Sequence, residues 1–166
     1  DSMRLTCVWA ILSVAAVAAN WPQWGGPQRN FKLPSDVQPP GWPAAGPKQL
    51  WARDLGDGYS SMVVSAGLLY TMYRRGSHDV VIALDPATGR TLWETATDAP
   101  HRSGMNTEAG PGPHSTPLIA GDRIFVTTVM AHLVALDRKT GKRLWSHDLW
   151  NKSKGTFLER GYAASP

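Results

Sequence analysis

Four polar side chains that could bind a ligand or move a proton lie close together in the middle of the chain. They are His101, Arg102, Glu108 and His114. Histidine and glutamate are common acid–base groups, and both also ligate metals. The spacing of the two histidines fits no recognised metal pattern, so we expect a solvated or structural role for both, and an ordinary loop carboxylate at position 108.

Other groups capable of chemistry are scattered. Residues 97–113, which contain His101, Arg102 and Glu108, form a first long connection between repeats. Residues 146–161 form a second, which contains Trp150, Lys152, Lys154 and Glu159. His78 is predicted in a turn and His132 at the start of a strand, and neither has a candidate partner. The sequence contains no nucleophile–base pair, phosphate loop or metal-ligand cluster, so no reaction is evident from it.

An eleven-residue stretch at 83–93 occurs again 52 residues later, at 135–145. Seven of the eleven positions are identical in the two copies. The shared residues are Ala83, Leu84, Asp85, Thr88, Gly89, Leu92 and Trp93, which match Ala135, Leu136, Asp137, Thr140, Gly141, Leu144 and Trp145. A repeat of this period is typical of propellers, solenoids and arrays.

Each copy predicts a β-hairpin. The apolar run at 80–84 suits a strand buried on both faces. The Asp and Thr side chains can accept backbone N–H bonds in the turn, and Gly89 and Gly141 are expected to adopt positive φ. We expect Trp93 and Trp145, at a fixed place in each copy, to pack between neighbouring repeats.

Four short strands are predicted around each copy, which is the unit of a β-propeller blade. The predicted strands are 59–65, 68–73, 80–84 and 90–95, followed by 115–120, 123–129, 133–136 and 142–147. The fold class is therefore all-β, with antiparallel four-stranded blades at 59–96 and 114–148. Residues 161–166 match 58–62 and 112–117, which start the two blades, and predict a third.

Residues 49–55 resemble the last strand of the repeat without the rest of its blade. In a ring propeller such a strand completes the final blade, so we expect it to hang free or rest against the first blade. The partial propeller is assigned to 49–166, and the chain is expected to be a fragment. Residues 20–166 alone should then be poorly soluble or oligomeric, because the open sheet edges invite association.

The first 19 residues predict an export signal. A short basic start at Met3 and Arg4 precedes an apolar run that ends in a small-x-small site at 16–18. The run is too short to span a membrane. The sole cysteine, Cys7, lies within this segment, so the mature chain is expected to have no disulfide. The predicted location is periplasmic or extracellular.

Residues 20–48 are rich in proline and glycine and predict an extended arm fixed to the surface by Trp21, Trp24 and Trp42. The formal net charge is +4, and the basic residues are scattered along the sequence. Four of them surround the turn at 137–143, where we expect an ordinary solvated surface. No basic stripe with interleaved aromatics is present, which argues against nucleic-acid binding.

The pattern Ala-x-Asp-x-x-Thr-Gly-x-x-x-Trp in both copies resembles the tryptophan-docking motif of pyrroloquinoline-quinone-type (PQQ-like) eight-bladed propellers. The opening Trp-Pro-Gln-Trp-Gly-Gly-Pro resembles that of exported bacterial members of the family. The resemblance covers residues 20–166 and implies that the repeat tryptophans stack on the motif of the next blade.

Two functions are compatible with this resemblance. The first is a non-catalytic binding or scaffold module, similar in fold to the propeller subunit of the outer-membrane barrel-assembly machinery. Its protein or small-molecule ligand is expected on the face of the propeller where both long connections emerge. The second is a fragment of a PQQ-dependent dehydrogenase that oxidises alcohols or sugars. In that family a vicinal disulfide, a Glu, an Asn and an Asp hold the quinone and Ca²⁺, and this chain has no Cys-Cys pair. No cofactor is evident from the sequence, and the first function is favoured.

Overall fold

The computed structural model describes residues 20–37, 41–108 and 110–166. The predicted export signal at 1–19 lies outside these residues. Eight strands form two four-stranded antiparallel sheets, each with its strands in sequence order, as the repeat predicted. The first sheet comprises β1 Val63–Ser65, β2 Leu68–Arg75, β3 His78–Leu84 and β4 Thr91–Asp98. The second comprises β5 Leu118–Ala120, β6 Arg123–Thr127, β7 His132–Asp137 and β8 Arg143–Asp148, followed by the short helix α1 Leu149–Lys152.

The first strand of each sheet is shorter than predicted. Strands begin at Val63 and Leu118, whereas the sequence indicated 59 and 115. The preceding residues bond to the neighbouring repeat instead: the N–H of Tyr59 donates to the carbonyl of Pro113 at 2.9 Å, and the N–H of Ser61 donates to Thr116 Oγ1 at 3.1 Å. An N–H group used across repeats is not available for the ladder within a sheet.

The two sheets pack face to face around one apolar core. The first sheet contributes Val63, Tyr70, Met72, Val81 and Ala83, with Trp93 packed against them. Ile119, Ile124, Val126, Val134 and Leu136 come from the second sheet. Their burial follows from β-strand alternation, which places every second side chain on the same face.

The outer face of the first sheet is covered by residues 51–55, which form no strand. Trp51 and Leu55 pack on a cluster that includes Ile82 and Leu84. Arg53 donates to the carbonyl of Gly89 at 2.8 Å. Residues 49–55 therefore rest against the first sheet, one of the two arrangements expected, but without the ladder of an outer strand. Among the described residues no neighbouring strand is present to pair with them.

The repeat turns have the geometry that the sequence predicted. Gly89 and Gly141 have φ values of 70° and 71°. Asp85 Oδ1 accepts the N–H groups of Ala87 and Thr88 at 2.8 and 3.1 Å. Asp137 Oδ1 accepts the N–H and the hydroxyl of Thr140 at 2.8 and 2.7 Å. These bonds lower the pKa of both carboxyls, because they stabilise the charged form.

A tryptophan lies over each of these glycines. The Trp51 indole lies against Gly89 and donates to the carbonyl of Pro86 at 2.8 Å. The Trp93 indole lies against Gly141 and donates to the carbonyl of Arg138 at 3.2 Å. Only glycine leaves room for an indole this close to the backbone. Each turn is therefore covered by the tryptophan that precedes it along the chain.

The Trp145 side chain packs differently. Its ring lies 5.8 Å from Phe125 and 5.0 Å from His147, both on its own sheet. The described residues contain no sheet opposite this face, so packing of Trp145 between sheets stays a prediction.

The N-terminal arm bridges both innermost strands. Trp21 pairs with Val64 through two backbone bonds of 2.8 and 3.0 Å. The carbonyl of Pro22 accepts from the N–H of Ile119 at 2.8 Å. The sequence indicated an arm without ladder bonds, so this bridge corrects that prediction. Trp42 is 76% exposed and does not fix the arm to the surface.

Candidate functional site

The strand ends divide the molecule into two faces. Residues 76–77, 99–108, 110–117, 128–131 and 149–162 lie at one end of the sheets, here called the loop face. The hairpin turns at 66–67, 85–90, 121–122 and 138–142 lie at the opposite end. Loops held by a rigid scaffold commonly carry binding residues, so a binding site is expected on the loop face.

The two long connections on the loop face contact each other. The N–H of Asn106 donates to the carbonyl of Glu159 at 2.8 Å, and the Asn106 amide donates to the Glu159 carboxylate at 3.4 Å. The Arg102 guanidinium lies 4.3 Å from the centre of the Trp150 ring, a cation–π contact. The connections after β4 and β8 therefore form one continuous surface.

A buried ion pair anchors this surface to both sheets. Arg74 Nη1 lies 2.8 Å from Asp79 Oδ1, and both side chains are at least nine-tenths buried. Arg74 also donates to the carbonyl of Ala99 at 2.9 Å, and Asp79 Oδ2 accepts the N–H of Val129 at 2.7 Å. Burial raises the pKa of Asp79, opposed by the Val129 N–H and the Arg74 charge. The pair joins the first connection to the second sheet.

His101 lies at the junction of two shallow cavities on this face. Its Nε2 lies 2.8 Å from the carbonyl of Pro111 and donates to it, which leaves Nδ1 as an acceptor. A cavity of about 470 Å³ on one side includes Arg74 and Ser77, and one of about 290 Å³ on the other includes Arg102 and Met130. His101 thus serves as a structural link with one nitrogen free to accept a hydrogen bond.

His114 belongs to a different cavity, next to the innermost strands. Its ring stacks on Tyr59 with centroids 5.6 Å apart and planes 22° from parallel. The stacked pair is shared by two adjoining cavities of about 320 and 380 Å³. Their other lining residues are Trp24, Thr116, Arg160, Gly161, Ala163 and Ser165. We call this space the axial cavity.

Segments from three successive repeats build the axial cavity. The N–H of Thr116 donates to Ser165 Oγ at 2.8 Å, and Tyr59 is bonded to Pro113 as described above. The sequence aligned residues 58–62, 112–117 and 161–166 as strand starts but did not indicate a site there. The signal was present in that alignment, because equivalent segments of successive repeats converge near the axis of a propeller.

The four candidate residues do not form one site. His101 and Arg102 share a cavity, and His114 lies in the axial cavity. Glu108 is exposed, and its backbone N–H donates to Asn106 Oδ1 at 2.9 Å. The structure therefore gives no pairing of a candidate histidine with this carboxylate.

The sequence prediction that His78 and His132 lack partners is wrong. His78 Nε2 lies 2.8 Å from Asp98 Oδ1, and His132 Nε2 lies 3.8 Å from Asp148 Oδ2. Each histidine starts the third strand of its sheet, and each aspartate ends the fourth strand directly opposite. The Asn151 N–H lowers the pKa of Asp148, with a further contribution from His132. Strand register creates these pairs, and no local pattern reveals them.

The described residues do not fit a Ca²⁺-bound quinone. They contain no group of three or more His, Cys, Asp or Glu side chains that could hold a metal. The axial cavity offers hydroxyls, aromatic faces and the Arg160 guanidinium, but its lining contains no carboxylate. Calcium in proteins takes six to eight oxygen ligands, usually with carboxylates among them.

No helix within the described part of the chain has the length and apolar content to cross a bilayer.

Curated proteins similar in sequence are quinoprotein enzymes. The quinohemoprotein alcohol dehydrogenase ADH IIB of Pseudomonas putida is 32% identical over 88 residues, which are 53% of this chain and 12% of that protein. The quinoprotein ethanol dehydrogenase of Pseudomonas putida is 30% identical over 115 residues, 63% of this chain and 17% of that protein. The chain spans less than a fifth of the length of either enzyme.

Solved structures with similar regions include a BamB protein and a quinohemoprotein alcohol dehydrogenase. BamB from Moraxella catarrhalis matches 59% of this chain and 26% of its own, with 21% identity and a TM-score of 0.44. The match to the quinohemoprotein alcohol dehydrogenase ADHIIG from Pseudomonas putida HK5 covers 58% of this chain and 14% of that enzyme, with 29% identity and a TM-score of 0.40.

The family assignment rests on the sequence of residues 43–164. This range, more than two thirds of the chain, matches the family described as outer membrane protein assembly factor BamB. It includes both four-stranded sheets and both copies of the repeat turn. The chain therefore belongs to this family of PQQ-like β-propeller repeat proteins.

Proposed function

We propose that the chain is part of an exported PQQ-like propeller protein that acts as a non-catalytic binding or scaffold module. Its blades are 59–96 and 114–148, and residues 161–166 begin the next. The ligand, a protein or a small molecule, binds the loop face. The observation that carries the proposal is the contact of the two long connections through Asn106–Glu159 and Arg102–Trp150.

Two further features support binding over catalysis. His101 Nε2 donates to the carbonyl of Pro111, and the Asp79 carboxylate accepts from Arg74 and from the N–H of Val129. Both groups therefore hold the loops in place. A surface fixed by such bonds loses little conformational entropy when a partner docks.

Site-specific photocrosslinking in cells tests this proposal. A photoreactive residue replaces exposed Glu108 on the loop face, and a matched one replaces exposed Asp36 on the N-terminal arm. We expect a discrete protein or small-molecule adduct from position 108 only. Equal adducts from both positions, or none from position 108, would contradict the proposal.

Export is tested by the N-terminus of the protein isolated from cells. We expect the mature chain to start at Asn20 or close to it and to fractionate with the periplasm or the medium. A chain that keeps residues 1–19 and stays in the cytosol would refute export.

A PQQ-dependent dehydrogenase that oxidises alcohols or sugars is the second candidate. Its support is the similarity in sequence to quinoprotein enzymes. Equilibrium dialysis of the full-length protein with pyrroloquinoline quinone and Ca²⁺ distinguishes the two candidates. A retained chromophore would favour the enzyme, and no retained chromophore favours the binding module.

A further inference from the structure

A basic residue precedes an exposed leucine by two positions at three places in the chain. The three stretches are Lys48-Gln49-Leu50-Trp51, Arg90-Thr91-Leu92-Trp93 and Lys142-Arg143-Leu144-Trp145. The leucines are 70%, 38% and 46% exposed, and the basic residues are exposed as well. Neither the geometry of the repeat turns nor a binding role of the loop face explains why a basic residue and an exposed leucine recur together.

The structure places the three pairs at equivalent positions. Trp51 and Trp93 donate to carbonyls at the same place in successive turns, those of Pro86 and Arg138. Leu92 and Leu144 are each the second residue of the fourth strand of their sheets. Repeats related by a rotation about one axis keep equivalent residues at one level along it. The pairs therefore lie at a common level, at the end of the sheets opposite the loop face.

This end carries the whole net positive charge of residues 20–166. We define the turn face as residues 48–54, 66–67, 85–92, 121–123 and 137–144. It contains eight basic residues and four acidic ones, a net charge of +4. The remaining residues from 20 onward contain eight basic and eight acidic residues. The resulting field is therefore directed to one side of the molecule.

The acidic residues on the turn face are largely engaged. Asp85 and Asp137 accept backbone N–H bonds in their own turns, and Asp122 lies 3.4 Å from Arg138. Arg123, Lys139 and Lys142 point into solvent as exposed side chains. A partner that approaches this face meets a predominantly cationic surface.

Cations next to exposed leucines are the combination that binds an anionic membrane surface. A leucine side chain enters the boundary between headgroups and acyl chains, while basic side chains attract anionic headgroups. Protection of edge strands by charge would explain the basic residues. It would not explain an exposed leucine two positions after each of them. We propose that the turn face docks on a phospholipid surface that contains anionic lipid, with the loop face directed away from it.

Sedimentation with lipid vesicles tests the proposal on the full-length protein. We expect binding to phosphatidylcholine vesicles that contain phosphatidylglycerol and not to pure phosphatidylcholine vesicles. The triple variant Lys48→Gln, Arg90→Gln, Lys142→Gln should bind about a hundredfold more weakly. The triple variant Leu50→Ser, Leu92→Ser, Leu144→Ser should bind roughly tenfold more weakly.

The matched control removes the same number of exposed cations elsewhere. Lys32→Gln, Lys152→Gln, Lys154→Gln changes the net charge equally without touching the turn face. We expect its affinity to stay within about twofold of the parent, because these cations lie away from the headgroups. Equal loss in control and turn-face variants, or an unchanged affinity in the leucine variant, would overturn the proposal.

A fluorophore gives a second readout that does not depend on affinity. An environment-sensitive dye attached to Leu92→Cys should shift to shorter wavelength on phosphatidylglycerol vesicles, and one on Glu108→Cys should not. A shift at position 108 alone would show that the loop face meets the lipid. Capture of an acidic protein by the turn face with no shift at position 92 would assign the surface to a protein partner instead. Either result would refute the proposal.

Discussion

Gly141→Ala is the substitution that most directly tests how the two sheets are held together. Gly141 has φ of 71°, a conformation that costs a residue with a Cβ about 1–2 kcal/mol. A Cβ there would also lie 2.6 Å from Cδ2 of Trp93, so the indole has to move. Displacing a packed side chain in this way costs about 1–3 kcal/mol. We expect a total loss of about 3 kcal/mol in the free energy of unfolding.

Gly121→Ala is the matched control in the same sheet. Gly121 has φ of 58°, and no atom lies within 4 Å of the position that its Cβ would take. This variant should show the backbone effect alone, about 1 kcal/mol. The difference of about 2 kcal/mol between the variants then measures the contact between Trp93 and Gly141.

Urea unfolding of the single variants and of Gly141→Ala in a Trp93→Ala background completes the experiment. Without the indole, the cost of Gly141→Ala should fall towards that of Gly121→Ala, about 1 kcal/mol, with a remainder from Thr95 Oγ1, which would lie 2.9 Å from the new Cβ. If Gly141→Ala costs no more than Gly121→Ala, or the same with and without Trp93, the indole does not depend on this glycine. The description of how the sheets pack would then be wrong.

Three further outcomes are expected from urea unfolding. Asp79→Ala should destabilise the protein by about 3–5 kcal/mol because Arg74 is left charged and buried. Glu94→Ala, which breaks the more exposed pair with Arg75, should cost about 1 kcal/mol or less. Equal losses would show that the buried pair contributes no more to stability than the exposed one. Trp93→Ala should cost about 3 kcal/mol, more than Trp42→Ala, whose indole is 76% exposed, and the reverse order would contradict the packing. The pKa of Asp137 is lower in the folded protein, so its carboxylate stabilises the fold above the ordinary pKa of 3.8, and this stabilisation is lost as the pH falls further. Asp137→Asn should therefore reduce the fall of the urea midpoint with decreasing pH. An unchanged dependence of the midpoint on pH would refute this role.

The sequence by itself determined the turns and the repeated sheets. The bonds from Asp85 and Asp137 reach two or three residues along the chain, and a positive φ at Gly89 and Gly141 is a property of the turn itself. Such local features depend on residue type and spacing alone, so the repeat predicted them. The alternation within the strands then indicated which faces are buried.

Tertiary structure decided which side chains meet. The carboxylates beside His78 and His132 are set by strand register, since each comes from the far end of the next strand. Arg74 and Asp79 read as ordinary surface charges until the second sheet and residue 99 cover them. The separation of His101 from His114 depends on the path of one long connection between the sheets. Sheet packing brings together residues far apart in sequence, and no short-range pattern encodes those distances.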